Sequence, residues 1–274
     1  MTGRILLVVL SLAVAATAQA PYSSFRNEGA DFLGPATVSV GLDTVRISVV
    51  LPGTGVAAQA LRTGVELAIT DANLRQTGPT LVAILRGDDG PWSSAAAAAV
   101  HLVREAGAMA LLAGPDGGRA HACELVAAKL WVPVLAPVAA DHTIDYANVP
   151  WMFRLGPDDR QQLSVLLDHA HKQGWNRLVW IGADERDSHI AEATARRLAA
   201  AMGDMMVTDD PQVADAMLVW GSVDAAPDLL AAAGRLAAGR PLLGPWMLAA
   251  GSGPSANQAL HICVPAGKGG MLPI

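Results

Sequence analysis

The sequence predicts an α/β fold with two similar lobes, each built on a parallel sheet, that are joined at mid-sequence. Short apolar runs alternate with helical patterns, which is typical of strand–helix–strand units with right-handed crossovers. Residues 149–162 interrupt this alternation at mid-sequence, and it restarts after them. Hydrophobic residues form 52% of the chain and aromatic residues 4%, so a large core rich in alanine is expected. Two similar lobes joined in this way favour a cleft that closes on a solute.

The first 18 residues have the layout of a secretory signal peptide. Arg4 precedes an apolar run, and small residues follow as far as Ala20. Cleavage after Ala18 satisfies the small-x-small rule and does not leave Pro21 directly after the cut. The apolar run is shorter than the stretch of about 20 residues that a membrane span requires. We therefore expect export to the periplasm, with an irregular polar arm over residues 19–44.

Charge and cysteine content restrict the function further. The formal net charge is −6 and the chain has no basic run, which disfavours nucleic acid and anionic lipid as partners. Cys123 and Cys263 are the only cysteines. They would be able to pair in an oxidising compartment, or to remain as two buried thiols.

The first lobe is predicted over residues 45–157. Its first strand, 45–51, is apolar almost throughout, as expected for a strand buried on both faces. Apolar residues then recur at three- and four-residue spacing and predict a helix over 57–73. Pro91 is suited to the first turn of the next helix, which we expect to reach Glu105. Further strands are predicted at 81–85, 108–112 and 132–135, and a further helix from the 114–118 loop to Lys129.

The second lobe is predicted over residues 158–274. An amphipathic helix opens it and ends near Gly174, and strand 177–182 follows. The next helix, 188–202, is stopped by Gly203, and Pro227 opens another that ends at Gly239. Further strands are predicted at 205–208, 216–220, 242–243 and 260–264.

The order of these segments resembles the type I periplasmic solute-binding proteins, in particular the branched-chain amino-acid (leucine-binding) group of ABC transporters. The likeness covers about residues 44–265, and the segments that carry it are 45–55, 64–73, 88–90, 112–115, 131–137 and 153–158. It implies two Rossmann-like lobes joined by a hinge, which close over a small solute and deliver it to an ABC permease in the inner membrane. It implies no cofactor, no metal and no catalytic residue.

The resemblance also implies where a solute would bind. Backbone N–H groups at helix N-termini favour an anion, and a carboxylate favours an ammonium group, so an amino acid or a related amide or carboxylate is the expected solute. Trp92, at the start of the second helix, is a further candidate at the cleft mouth. The ligand-binding residues implied by the resemblance are Asp116, Gly117, Gly118, Ala139, Ala140, Asp158, Asp187 and Trp246.

This chain differs from the family at several of those positions. The family's hydroxyl residues in the two first-lobe loops are glycine and alanine here, and its covering aromatic residue is Asp187 or Ser188. The chain also ends before the family's return to the first lobe, so we expect a shortened second lobe. A ligand-less sensor or partner-binding descendant of the same fold is therefore the alternative function.

Each candidate residue also has a structural interpretation. Asp158 and Gln161 have the spacing of a capping box, and Asp187 or Ser188 would serve as an N-cap. Gly117 and Gly118 suit a plain strand-to-helix turn. Trp92 would be an ordinary half-buried packing residue.

Enzymatic alternatives have weaker support in the sequence. Gly53, Gly55 and Ala58 fit a dinucleotide fingerprint, but the acidic residue expected about 20 positions later is not in place. His169 and His171 are two positions apart on a helix and do not face each other, which argues against a metal pair. The sequence has no nucleophile elbow, so an exported α/β enzyme is the less favoured reading.

Overall fold

The computed structural model describes residues 42–87, 90, 92–251, 260–264 and 270–273. The predicted signal peptide, nearly all of the N-terminal arm, and Pro91 lie outside this range. Within the described part of the chain, no helix combines the length and the apolar character needed to cross a bilayer. Cys123 is a buried free thiol. The predicted alternative was a disulfide with Cys263, whose side chain is not among those that the structure describes.

The first sheet has five parallel strands in the order β2-β1-β3-β4-β5. In this first lobe a helix follows each of β1, β2 and β3, as predicted, and a 3-10 helix lies between β4 and β5. Its strands are β1 Thr44–Leu51, β2 Thr80–Gly87, β3 Ala110–Ala113, β4 Val134–Ala136 and β5 Met152–Arg154. Its helices are α1 Val56–Arg75, α2 Trp92–Arg104, α3 Gly117–Leu130 and the 3-10 helix His142–Ala147.

The second sheet has six strands in the order β11-β10-β9-β8-β6-β7. Strands β6 to β10 pair in parallel, whereas β11 runs antiparallel to β10, so this sheet is mixed at its edge. Its strands are β6 Arg177–Gly182, β7 Met206–Thr208, β8 Ala216–Trp220, β9 Leu242–Pro245, β10 Leu260–Val264 and β11 Gly270–Pro273. Its helices are α4 Asp159–Lys172, α5 Arg186–Met202, α6 Ala226–Ala237 and α7 Met247–Gly251.

The predicted α/β class with two lobes is confirmed, and the alanine-rich composition explains how the lobes pack. On α5, Ala191, Ala195 and Ala199 recur every four residues and are fully buried. Their small side chains let the helix lie close to the sheet and to α4, which presents leucines to the same cluster. All five residues of β8 are buried, because this strand lies inside the sheet with helices on both faces.

The chain passes from the first sheet to the second within residues 155–158. Arg154, the last residue of β5, anchors this crossing: its Nη1 donates to the Asp141 carbonyl at 2.9 Å, and its Nη2 forms an ion pair with Asp145. Helix α4 then begins at Asp159. The domain boundary between residues 157 and 158 remains a prediction, and it falls within this crossing.

Removing volume from the second-lobe core is expected to destabilise the protein strongly. Leu218, in the middle of β8, is fully buried, and Leu218→Ala should lower the free energy of unfolding by about 2–5 kcal/mol because it leaves a cavity. Leu236 on α6 is about half exposed, and Leu236→Ala should change the free energy of unfolding by less than about 0.5 kcal/mol. Urea denaturation followed by circular dichroism measures both, and similar losses would contradict this description of the core.

Candidate functional site

A cavity of about 460 Å³ lies between the two sheets. Its walls come from loops that follow β1, β3 and β4 in the first lobe and β6, β8 and β9 in the second. Carboxyl ends of parallel strands meet at one edge of a sheet, so each lobe presents its loops and helix N-termini to the other. The arrangement therefore places polar groups from both lobes around one shared space.

The N-terminus of α3 is bound by carboxylates from both lobes. Asp116 is its N-cap, and its Oδ1 accepts from the Arg119 N–H at 2.8 Å. The Gly117 N–H donates across the cleft to Asp187 Oδ2 at 2.6 Å. A Cβ on Gly117 would lie 2.6 Å from the Asp141 side chain and 2.7 Å from Asp187 Oδ1, so only glycine fits between these two acids.

The N-terminus of α1 is bound in the same way. The Val56 N–H donates to Asp224 Oδ1 at 2.5 Å, and the Ala57 N–H reaches the same oxygen at 3.3 Å. Gly55 precedes them with φ of 105°, and a Cβ there would lie 2.7 Å from the Asp224 carboxylate. Two helix N-termini of the first lobe thus each bind a carboxylate of the second.

An ion-pair network joins the lobes beside α3. Arg186 of the second lobe donates from Nη1 to Asp141 Oδ2 at 2.5 Å and to Asp187 Oδ1 at 3.1 Å. The Asp141 side chain is fully buried and also contacts His121 Nε2 at 3.2 Å. The Thr143 hydroxyl donates to Asp141 Oδ1 at 2.7 Å. Asp141 is therefore the shared acceptor of this network.

The network shifts the pKa values of its members in opposite directions. Hydrogen bonds to Asp141 and Glu124 outweigh burial and raise the pKa of His121 to about 9. Burial acts to raise the pKa of Asp141, but hydrogen bonds from His121, Thr143 and Arg186 hold it well below its usual range. His121 and Asp141 are therefore a charged pair at neutral pH.

Asp187 has a different electrostatic environment. Its pKa is raised to about 6, chiefly by burial and further by the charges of Asp141 and Asp116. The Gly117 N–H and Arg186 act in the opposite direction but do not compensate. The ionised form of Asp187 is thus less stable than that of an ordinary aspartate.

The second-lobe wall is held by Glu185. Its Oε1 accepts from the Ser222 hydroxyl at 2.7 Å, and its Oε2 accepts from the Ser222 N–H at 3.0 Å. These bonds fix the loop after β8, which also carries Asp224. Ser188 is buried, and its hydroxyl donates to the Trp220 carbonyl at 3.3 Å, so it ties α5 to β8.

Four of the predicted ligand-binding residues line the cavity: Asp116, Gly118, Ala140 and Asp187. Gly117 is at its edge through the hydrogen bond to Asp187. The structure places the other four elsewhere. Trp92 is half exposed in an adjoining open groove, Ala139 is fully buried in the first-lobe core, Trp246 packs against the second-lobe core, and Asp158 is at the start of α4.

Asp158 is engaged in the predicted capping box. Its Oδ1 accepts from the Gln161 N–H at 2.7 Å, and Gln161 Oε1 accepts from the Asp158 N–H at 3.0 Å. Asp158 is almost completely buried and also pairs with Arg160 at 3.3 Å. Its carboxylate therefore has partners within the protein, and its predicted contact with an ammonium group has no support from this geometry.

Sequence reasoning missed several residues that border the cavity. Each lies two to five residues after the carboxyl end of a strand, so the rule that sites form at the carboxyl ends of parallel strands is a signal that would have found them. They are Asp141, Glu185, Arg186, Ser222 and Asp224.

Asp141, His142 and Asp159 form a buried group whose possible ligand atoms lie within 4.8 Å of one another. Asp141 is already paired with Arg186 and His121, and His142 Nδ1 contacts Asp159 Oδ1 at 2.7 Å. The three side chains therefore already have polar partners within the protein.

Comparison with known proteins gives a family and a set of structural neighbours. A family model described as periplasmic binding protein matches residues 44–245. Among curated protein sequences, none matches this chain significantly.

The solved structures that resemble the chain share its fold at low sequence identity. A solute-binding protein of an ABC transporter from Rhodopseudomonas palustris, in complex with 3,4-dihydroxybenzoic acid, has a TM-score of 0.64 and 19% identity over 76% of this chain and 63% of its own. A leucine-binding protein from Thermotoga maritima has a TM-score of 0.65 and 18% identity over 80% and 69%. A branched-chain amino-acid binding protein from Streptococcus pneumoniae, in complex with isoleucine, has a TM-score of 0.64 and 15% identity over 80% and 70%. The chain thus spans 63% to 70% of the length of these proteins.

Loss of the Asp158 cap is expected to destabilise α4. Asp158→Ala should lower the free energy of unfolding by about 0.5–2 kcal/mol, because the Gln161 N–H loses its acceptor. Asp158→Asn keeps an acceptor oxygen and should retain most of the stability. Chemical denaturation measures both variants. Unchanged stability of Asp158→Ala together with lost solute binding would instead establish the ammonium contact.

The His121 network is expected to make stability fall at alkaline pH. Because the pKa of His121 rises on folding to about 9, its stabilisation is complete below pH 6.5 and is lost as the pH rises through 9. Urea denaturation between pH 6 and 10 should show this fall. His121→Gln should flatten it, whereas His101→Gln, at a more exposed histidine of α2, should not. An equal slope in wild type and His121→Gln would contradict the assignment.

Proposed function

The chain belongs to the periplasmic binding protein family, and from this premise we propose that it captures a small polar solute between its lobes for an ABC transporter. The observation that carries the proposal is the cavity of about 460 Å³ between the lobes. This volume lies within the range of about 300–1,000 Å³ typical of small-molecule sites. Polar groups of both lobes line it, so a bound solute would contact both.

The proposed mechanism is a population shift without chemistry. A solute that contacts both lobes stabilises the arrangement in which they face each other, by as much as its affinity for that arrangement exceeds its affinity for others. The family is a transport family, and we propose that this member is likewise not an enzyme. Export to the periplasm and delivery to an inner-membrane permease complete the proposal.

The proposed contacts are those predicted residues that border the cavity: Asp116, Gly117, Gly118, Ala140 and Asp187. The relatives are named as complexes with isoleucine and with a hydroxylated benzoic acid, which supports a solute of similar size. An amino acid, an amide or a small carboxylate is the class that the family suggests.

A second candidate function is that of a partner-binding descendant of this fold. The favouring observation is that the protein's own side chains already join the lobes, through Asp187, Asp224 and Arg186. Such a protein would present a fixed surface to a partner and would need no solute.

A thermal-shift screen of the protein from Gln19 onward separates these functions. Amino acids, amides, carboxylates, amines and sugars are tested, and a solute that binds only the folded state should add about 2.7 kcal/mol of stability at one hundred times Kd. A well-folded protein that responds to none of these classes would support the partner-binding function.

A matched pair of variants tests whether the solute binds in this cavity. Val223 lines the cavity, so Val223→Trp should abolish the shift by filling the space. Val213 is exposed and outside the cavity lining, so Val213→Trp should preserve the shift. Loss of the shift in both variants, or in neither, would contradict binding in this cleft.

A further inference from the structure

We propose that the solute of this cleft is a small organic cation, with an ammonium or amidinium group and without a carboxylate. This inference rests on the proposed function, the capture of a small polar solute, and it departs from the amino acid, amide or carboxylate that the family suggests. It concerns the cavity between the lobes, and four features of that cavity support it.

The first feature is that donors suited to a solute carboxylate already bind carboxylates of the protein. N–H groups at a helix N-terminus carry a partial positive charge and are the natural partners of an anion. On α3 the Gly117 N–H binds Asp187, and the Arg119 N–H binds Asp116. On α1 the N–H groups of Val56 and Ala57 bind Asp224. A solute carboxylate that used any of these N–H groups would have to displace one of these acids into an already acidic cavity.

The second feature is the charge of the cavity wall. Its lining contains six acidic side chains and two arginines. Carboxylates that share a poorly solvated space raise one another's energy, and a cation placed among them lowers it. The acidic side chains are Asp116, Asp141, Asp159, Glu185, Asp187 and Asp224.

The third feature is that both arginines of the lining are neutralised by neighbours. Arg119 Nη1 pairs with Asp116 Oδ2 at 2.8 Å. Arg186 pairs with Asp141 at 2.5 Å and with Asp187 at 3.1 Å. The start of α5 is a further helix N-terminus at the wall, and Glu185 and Asp187 place two negative charges there. An anion therefore meets repulsion at this helix as well.

The fourth feature is the electrostatic state of Asp187. Burial and the neighbouring acids Asp141 and Asp116 raise its pKa to about 6, so its ionised form lacks sufficient compensation within the protein. A cationic group of a solute beside Asp187 supplies that compensation. The Gly117 N–H binds Asp187 Oδ2 and Arg186 contacts Oδ1. These two partners do not offset the burial and the neighbouring acids.

A panel of matched probes tests the charge preference directly. Benzylamine, benzamide and benzoate have one ring and differ in the head group, and 3-methylbutylamine is leucine without its carboxylate. Isothermal titration of the wild-type protein at pH 7.5 should give at least tenfold tighter binding for each amine than for its carboxylate or amino-acid counterpart. Tighter binding of benzoate or leucine would overturn the inference and leave the proposed function intact. Absence of binding by every cation, neutral compound and anion of the wider screen would instead reject both.

Two variants test the assigned role of Asp187. Asp187→Asn keeps an acceptor oxygen for the Gly117 N–H but removes the charge, so amine binding should weaken at least tenfold while folding is preserved. Asp184→Asn removes a fully exposed carboxylate three residues earlier and should leave amine affinity unchanged. Asp187→Ala frees the Gly117 N–H and should strengthen benzoate binding. Equal amine affinities in wild type and Asp187→Asn would overturn the role of Asp187.

Discussion

The cleft depends on one interaction, the hydrogen bonding of first-lobe helix N-termini to second-lobe carboxylates. A helix leaves its first N–H groups without partners inside the helix, and these groups carry the positive end of its dipole. In this protein Asp187 and Asp224 supply acceptors from the opposite lobe. The requirement for Gly117 and Gly55 follows, because a side chain at either position would collide with the incoming acid.

Much of the fold was predictable because each long central strand is a continuous apolar run. The predicted strands 177–182 and 216–220 agree with β6 and β8 to the residue. Strand β5 was missed because its three residues lie in a proline-flanked segment that reads as a linker, and pairing with β4 alone makes them a strand. The antiparallel direction of β11 depends on a tertiary pairing with β10 and has no local signal.

The site was less predictable than the fold, because its bonds join residues far apart in the sequence. The loop with Gly117 and the residue Asp187 were both identified, but as independent candidates. Their mutual bond spans 70 positions, and only the placement of two lobes reveals it. Asp158 shows the opposite case: its capping box is local, so the spacing to Gln161 was sufficient to predict it.

Because carboxylates of the protein already bind the helix N-termini at the cleft, the property that selects a solute changes. In a cleft with open N–H groups, a solute gains affinity by supplying the missing acceptor. Here the protein itself supplies the acceptors. The result is a high density of negative charge in the cleft, which together with burial raises the pKa of Asp187. Part of that charge is offset within the protein by Arg186 and His121, which both pair with Asp141. Selection then depends on the charge that remains. A cation is favoured because it completes this compensation, whereas an anion that uses these N–H groups must first break a bond between the lobes.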